Sequence, residues 1–203
     1  MDYSAKGLRV LVIAGAAGIG RAIARTFVEH GASAHICDVD AAALARFRSE
    51  MPGVGQTLAD VSKLADVERL FEDAKRSLGG LDVLVNNAGI AGPTAKVEDI
   101  RPEEWDQCIA VDLNGMFYCT RKAMPLIKAA RGGSIINLSS IAGRFGFPMR
   151  TAEVLARMVE GVSLKTTVTA QDVANTALFL ASDAGRHISG QALSVCGGVR
   201  YLV

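Results

Sequence analysis

Three glycines stand where a chain could cradle a phosphate. Gly15, Gly18 and Gly20 follow at once on the short apolar run Arg9 to Ala14 and open a stretch with helical periodicity. Gly15 would permit a tight strand-to-helix turn, Gly18 would let the backbone approach a pyrophosphate, and Gly20 would let the helix pack on the sheet. The anion would then sit on the free N–H groups of the helix N-terminus, with Ile19 in the first turn. A nucleotide P-loop is excluded, because it needs Gly-Lys-Ser/Thr and Gly20 is followed by Arg21 and Ala22. Alone, Gly-Ala-Ala-Gly also suits an ordinary turn.

The acids, amides and hydroxyls downstream extend that chemistry. Asp38 lies 18 residues after Gly20 at the end of a second apolar segment. A carboxylate there can accept from both hydroxyls of a ribose and would repel a 2′-phosphate. It could also cap the helix that begins near Asp40. Asp60 and Val61 follow a third strand, and capping is again the alternative for Asp60. Asn86-Asn87-Ala88-Gly89 closes a later apolar run, where amides can brace adjacent strand ends and Gly89 avoids a side-chain clash. Ser139 and Ser140 close a further segment, and a hydroxyl there could orient a carbonyl or alcohol and stabilise a developing oxyanion.

Positioning these groups requires alternating strands and helices. Strand patterns cover 8–14, 34–37, 54–58, 81–85 and 134–138, and helical patterns cover 20–30, 41–50, 63–78 and 102–130, with a kink expected at Pro125. The continuous apolar run 81–85 suits a strand buried on both faces of a parallel sheet. This rhythm predicts an α/β fold, a doubly wound parallel sheet in a single domain spanning 1–203. After Phe145 the rhythm stops: 144–151 reads as loop, 152–161 as a short helix, 171–182 as a helix and 191–195 as a last strand. No sixth strand lies between the fifth and the last.

Composition narrows the classes. Half of the 203 residues are apolar and 21% are charged, a globular balance. A net charge of +1 offers no footprint for nucleic acid or an anionic membrane surface. Cys37, Cys108, Cys119 and Cys196 are scattered without Cys-x-x-Cys, and His30, His35 and His187 lack metal-ligand spacing, reading as surface or loop-end residues. No metal is expected. The N-terminal apolar run is cut by Gly15, which fits neither signal peptide nor membrane span, so a cytoplasmic protein is expected.

In order and spacing these motifs resemble the short-chain dehydrogenase/reductase family over almost the whole length. Gly15-x-x-Gly18-x-Gly20 resembles the family's Thr-Gly-x-x-x-Gly-x-Gly, one residue shorter between its first two glycines and with Ala14 in place of the threonine, and Val195-Cys196-Gly197-Gly198 replaces a more usual Val-Asp-Gly-Gly. The resemblance implies NAD, with NADP less favoured, held by Gly15, Gly18, Ile19, Gly20, Asp38, Asp60, Val61, Asn87, Ala88 and Gly89. In the family Asp60 would fix the adenine end. The resemblance also implies a small-molecule secondary alcohol or ketone as substrate, with Ser140 rather than Ser139 on its oxygen. The family's active-site asparagine falls on Asp112, and Asn114 lies two residues later on a different helix face. A homodimer or homotetramer is implied, with Trp105, Met116, Phe117 and Met124 either on such an interface or buried within the monomer.

One departure is large. The family's Tyr-x-x-x-Lys pair should follow Ser140 by roughly a dozen residues, but the only tyrosines are Tyr3, Tyr118 and Tyr201, none with a lysine four places on. One helix, one strand and a lid, about 50 residues, are missing from the pattern near 149–153. Either a longer protein is incompletely represented, with a break in the chain expected there, or a true deletion leaves a cofactor-binding or structural protein without catalysis.

Overall fold

The computed structural model describes residues 3–140 and 167–196. Its sheet has five parallel strands: β1 (Arg9–Val12), β2 (Ser33–Asp38), β3 (Gly55–Leu58), β4 (Val83–Asn86) and β5 (Ser134–Asn137), in spatial order β3-β2-β1-β4-β5. Helices α1 (Gly18–Glu29), α2 (Ala41–Glu50), α3 (Leu64–Leu78), α4 (Pro102–Cys108), α5 (Met116–Ala129) and α6 (Ala170–Ala181) cover it. This is the doubly wound α/β architecture expected. Its order reverses between β1 and β4, so their carboxyl ends flank the crevice in which such sheets bind ligands.

Strand alternation builds the two faces. Val10, Val12, Val83 and Val85 pack with Ile23 and Phe27 of α1, Leu44 and Phe47 of α2, and Ala174, Ala177 and Leu178 of α6. Leu11, Ile13 and Leu84 point the other way, against Val67, Leu70 and Phe71 of α3 and Cys119, Ala123 and Ile127 of α5. Both faces of β1 and β4 are therefore dry, which is why their sequences are continuous apolar runs.

Three local expectations need correction, and one open alternative is decided. The break in the long helical region falls at a π-helical segment, Ile109–Gly115, between α4 and α5, while α5 runs through Pro125. Pro125 lies on the exposed face, where water can serve the backbone carbonyl its ring deprives of a partner. The 191–195 segment is not a strand: a strand needs a paired neighbour, and β5 is paired only to β4 among the described residues. His35 is not a surface residue. It is 2% exposed on β2, with Nδ1 at 2.7 Å from Ser77 Oγ and Nε2 at 2.9 Å from Thr57 Oγ1, whose hydroxyl donates to Asp73. Burial pushes its pKa down to about 4, against a smaller upward pull from Asp73. Finally, Trp105 (60% exposed), Phe117 (59%) and Met124 (36%) are not buried in the monomer. The helix expected over 152–161 and the break expected over 149–153 lie outside the described residues.

Candidate functional site

The phosphate cradle is built by close approach more than by glycine's torsional freedom. Ala14, not Gly15, takes the left-handed conformation of the turn, with φ +53°. Gly15 is required for a different reason: a Cβ there would lie 2.8 Å from Cβ and Cγ2 of Ile36 on β2. At Gly20 a Cβ would collide with the carbonyl oxygen of Ala14 and come within 2.6 Å of Asn87 Nδ2. Gly18 is the opposite case. It has φ +54° and no protein atom within 4 Å of where its Cβ would stand. The open space faces the start of α1, which has neither a capping side chain nor an acidic residue in its first turn. Those unpaired N–H groups fit a diphosphate, and Ile19 is 40% exposed beside them.

Asn87 ties this cradle to β4. Its Nδ2 donates to the carbonyls of Ile13 (3.2 Å) and Ala14 (3.0 Å), bracing the turn that lacks the family's threonine hydroxyl. Asn86 turns inward instead, donating to Thr120 Oγ1 (3.1 Å) and Asn137 Oδ1 (2.8 Å) and so joining β4, α5 and β5. Ala88 packs against the cluster beneath α3 and α5. Gly89 leaves 3.7 Å between an added Cβ and Asp112 Oδ1, so it is close to, but not in collision with, its neighbour.

The acidic positions divide by role. Asp38 does not cap α2; Asp40 does, accepting from Ala42 N (2.8 Å) and Ala43 N (3.1 Å). Asp38 Oδ2 accepts from Ala16 N at 3.2 Å and Oδ1 from Asp40 N at 3.1 Å, which holds the carboxylate beside the glycine loop. Nor does Asp60 cap α3, whose N-cap is Lys63. Its Oδ1 accepts from the amide (3.0 Å) and hydroxyl (2.6 Å) of Ser62, and Oδ2 lies 3.2 Å from Lys63 Nζ. Burial pushes this carboxyl up, but Ser62 and Lys63 together outweigh it and hold it below the usual range. Val61, 5% exposed, packs against Gly115 at the end of the π segment.

Asp112 sits within that π segment, and its Oδ1 accepts from Ile90 N at 2.9 Å. The carboxylate thus pins the loop after Gly89 from across the crevice. A π turn inserts an extra residue into a helix and is frequent at functional sites. Ser139 and Ser140 follow β5 as exposed residues at the carboxyl edge of the sheet. The buried thiols take no part: desolvation raises Cys37, and it pushes Cys119 up to about 12.

Sequence patterns had missed three groups that hold the site together: Thr120 and Asn137 on either side of Asn86, and Asp66, whose carboxylate accepts from Asp60 N at 3.0 Å. The first two offer no local signal, since their partners lie 34 and 51 residues away.

Comparison with known proteins places this arrangement. A family model described as short chain dehydrogenase matches residues 9–152, well over half of the chain. The chain belongs to the short-chain dehydrogenase family. A second model, described as enoyl-(acyl carrier protein) reductase, takes over at residues 149–200. D-beta-hydroxybutyrate dehydrogenase of Cupriavidus necator is 37% identical over 179 residues, covering 84% of this chain and 66% of that protein. Trans-4-hydroxycyclohexanecarboxylate dehydrogenase of Sinomonas cyclohexanicum is 35% identical over 240 residues, covering 94% of this chain and 92% of that protein. That second alignment is longer than the chain, so about fifty of its positions face no residue here. The chain spans about three fifths of the length of several curated relatives it matches. The fold is shared with a 7 alpha-hydroxysteroid dehydrogenase solved with NADH and 7-oxo glycochenodeoxycholic acid, at a TM-score of 0.92 and 23% identity over 98% of this chain and 96% of that one.

Proposed function

We propose that the protein is a nicotinamide-dependent oxidoreductase that moves a hydride between the cofactor and a secondary alcohol or ketone. The observation that carries this reading is the cradle at Gly18: positive φ, open space and an uncapped helix N-terminus at the topological switch point. The residues present fit a dinucleotide. The N–H groups of α1 around Gly18, Ile19 and Gly20 would hold the diphosphate, Asp38 the adenosine ribose, and Asp60 with Val61 the adenine. Asn87, Ala88 and Gly89 would form the floor beneath the nicotinamide end. When bound, the cofactor supplies the hydride donor or acceptor.

Asp38 favours NAD over NADP, because a 2′-phosphate would meet its negative charge. Ser140 would donate to the substrate oxygen and stabilise charge developing there. Asp112 would act through the loop it pins at Ile90. The family's acid/base for the proton on the substrate oxygen, a Tyr-x-x-x-Lys pair, has no counterpart in the 203 residues. We assign that pair to the roughly fifty residues by which longer relatives exceed this chain. The handover between the two family models at 149–152 supports a junction there. The protein is proposed to work in the cytoplasm with four free thiols, and to pair through the exposed Trp105, Leu113, Phe117 and Met124 with a second copy.

A second reading is favoured by the same missing pair: a true deletion that keeps cofactor binding and loses catalysis. Intact mass separates the two. A native mass well above 21.3 kDa with NADH production from a secondary alcohol supports the enzyme, whereas 21.3 kDa with cofactor binding and no turnover supports the deletion.

A further inference from the structure

We propose that Asp66 and Arg69 form a clamp that positions the Asp60–Val61 loop for adenine, and that this pair sets how well the site distinguishes adenine from other bases. The proposal rests on the cofactor reading above. Asp66 Oδ2 accepts from the backbone N–H of Asp60 at 3.0 Å, and Oδ1 accepts from Arg69 Nη1 at 2.8 Å. Arg69 Nη2 then donates to the carbonyl of Leu58 at 2.8 Å. One ion pair on α3 therefore grips the loop on both sides of Ala59. The same loop is tied to the ribose side by Ala59 N, which donates to the carbonyl of Asp38 at 3.0 Å.

This is not ordinary helix capping. Asp66 is the third residue of α3, a position from which an acid usually returns to the backbone N–H of the N-cap itself. The N-cap is Lys63, and Asp66 reaches three residues beyond it. The bond from Asp60 N–H, with that from Arg69, holds the Asp66 carboxyl below its ordinary range, so the clamp stays charged at neutral pH. What it holds still is a carboxylate with one place left. Of about four acceptor sites on Asp60, Ser62 takes two and Lys63 a third. The remaining site suits the exocyclic amine of adenine. A base with a carbonyl oxygen at that position would set two acceptors against each other.

The test is calorimetric titration of the full-length protein with NAD and with nicotinamide hypoxanthine dinucleotide, which replaces that amine by a carbonyl oxygen and, with it, turns N1 from an acceptor into an N–H donor. The wild-type protein should prefer NAD by about tenfold. Asp66→Ala and Arg69→Ala should bring the two affinities within about threefold, whereas Asp66→Asn, whose amide oxygen can still accept from Asp60 N–H, should keep most of the preference. Arg69 is half exposed, so its variant should remain folded, and thermal melts of each variant run alongside. A clamp that serves only stability would lower the melting temperature and weaken both dinucleotides equally. An unchanged ratio in folded Arg69→Ala and Asp66→Ala overturns the proposal and leaves the cofactor reading intact. A wild-type protein that binds neither dinucleotide overturns both.

Discussion

The two sides of the switch point are built to different standards. From β1 to β3 with α1 to α3, the adenosine side has strands paired on both edges except at β3, a glycine turn fixed by steric contact, and acids held by several hydrogen bonds each. On the reaction side β4 is buried at every residue, but β5 is only partly buried, and among the described residues its outer edge has no partner. Every proposed adenosine contact lies within the first 61 residues, while the proposed reaction chemistry draws on Ser140 and on a Tyr-x-x-x-Lys pair that the 203 residues lack. Cofactor binding can thus be complete where catalysis is not.

The contrast is broken most directly by turnover. In a protein of mass above 21.3 kDa, Ser140→Ala should lower NADH production from a secondary alcohol by about a hundredfold or more while leaving NAD affinity nearly unchanged. Robust Ser140-dependent turnover from a mass-verified 203-residue chain would show that the absent tyrosine and lysine are dispensable.

On the adenosine side, protonation of His35 should have the next largest effect. Its folded-state pKa of about 4 lies below the ordinary 6.5, so the unfolded chain binds the extra proton between those values. Stability is therefore fully present above pH 6.5 and falls as the pH drops from there to about 4, by about 3 kcal/mol in all. Urea unfolding across that window should show the slope, and His35→Gln should flatten it. An equal slope in the variant would assign the acid sensitivity elsewhere.

Two glycines sharpen the comparison within the cradle. Gly20→Ala drives a methyl group into the Ala14 carbonyl and Asn87, and should cost about 2 kcal/mol of stability together with NAD binding. Gly18→Ala meets open space and costs only the left-handed backbone, about 1 kcal/mol, yet should weaken NAD at least as much. Chemical denaturation paired with NAD titration separates them, and similar stability losses would contradict the division. The smallest effect is expected at Asp38→Ala: NAD weaker by about tenfold and discrimination against NADP relaxed, as one charged hydrogen-bond acceptor is lost. Unchanged affinities for both cofactors would leave Asp38 only its bonds to Ala16 and Asp40.

Much of this was legible in the sequence because it is local. The apolar runs of β1 and β4, the α1 stripe of Ile23, Ala24 and Phe27, and the Gly15–Gly20 spacing each encode their own conformation within a few residues. That is why the doubly wound sheet and the family could both be named from motifs alone. The tertiary structure decided what depends on partners far along the chain. It buried His35 between Ser77 and Thr57, gave Gly15 its meaning through Ile36 and Gly20 through Asn87, and set Asp112 on the amide of Ile90. It also resolved which acid caps α2, since Asp38 and Asp40 are equivalent in type and differ only in which N–H groups the backbone brings within reach. Periodicity records how a segment folds on itself; a hydrogen bond or a collision 20 to 70 residues away exists only once the strands have paired.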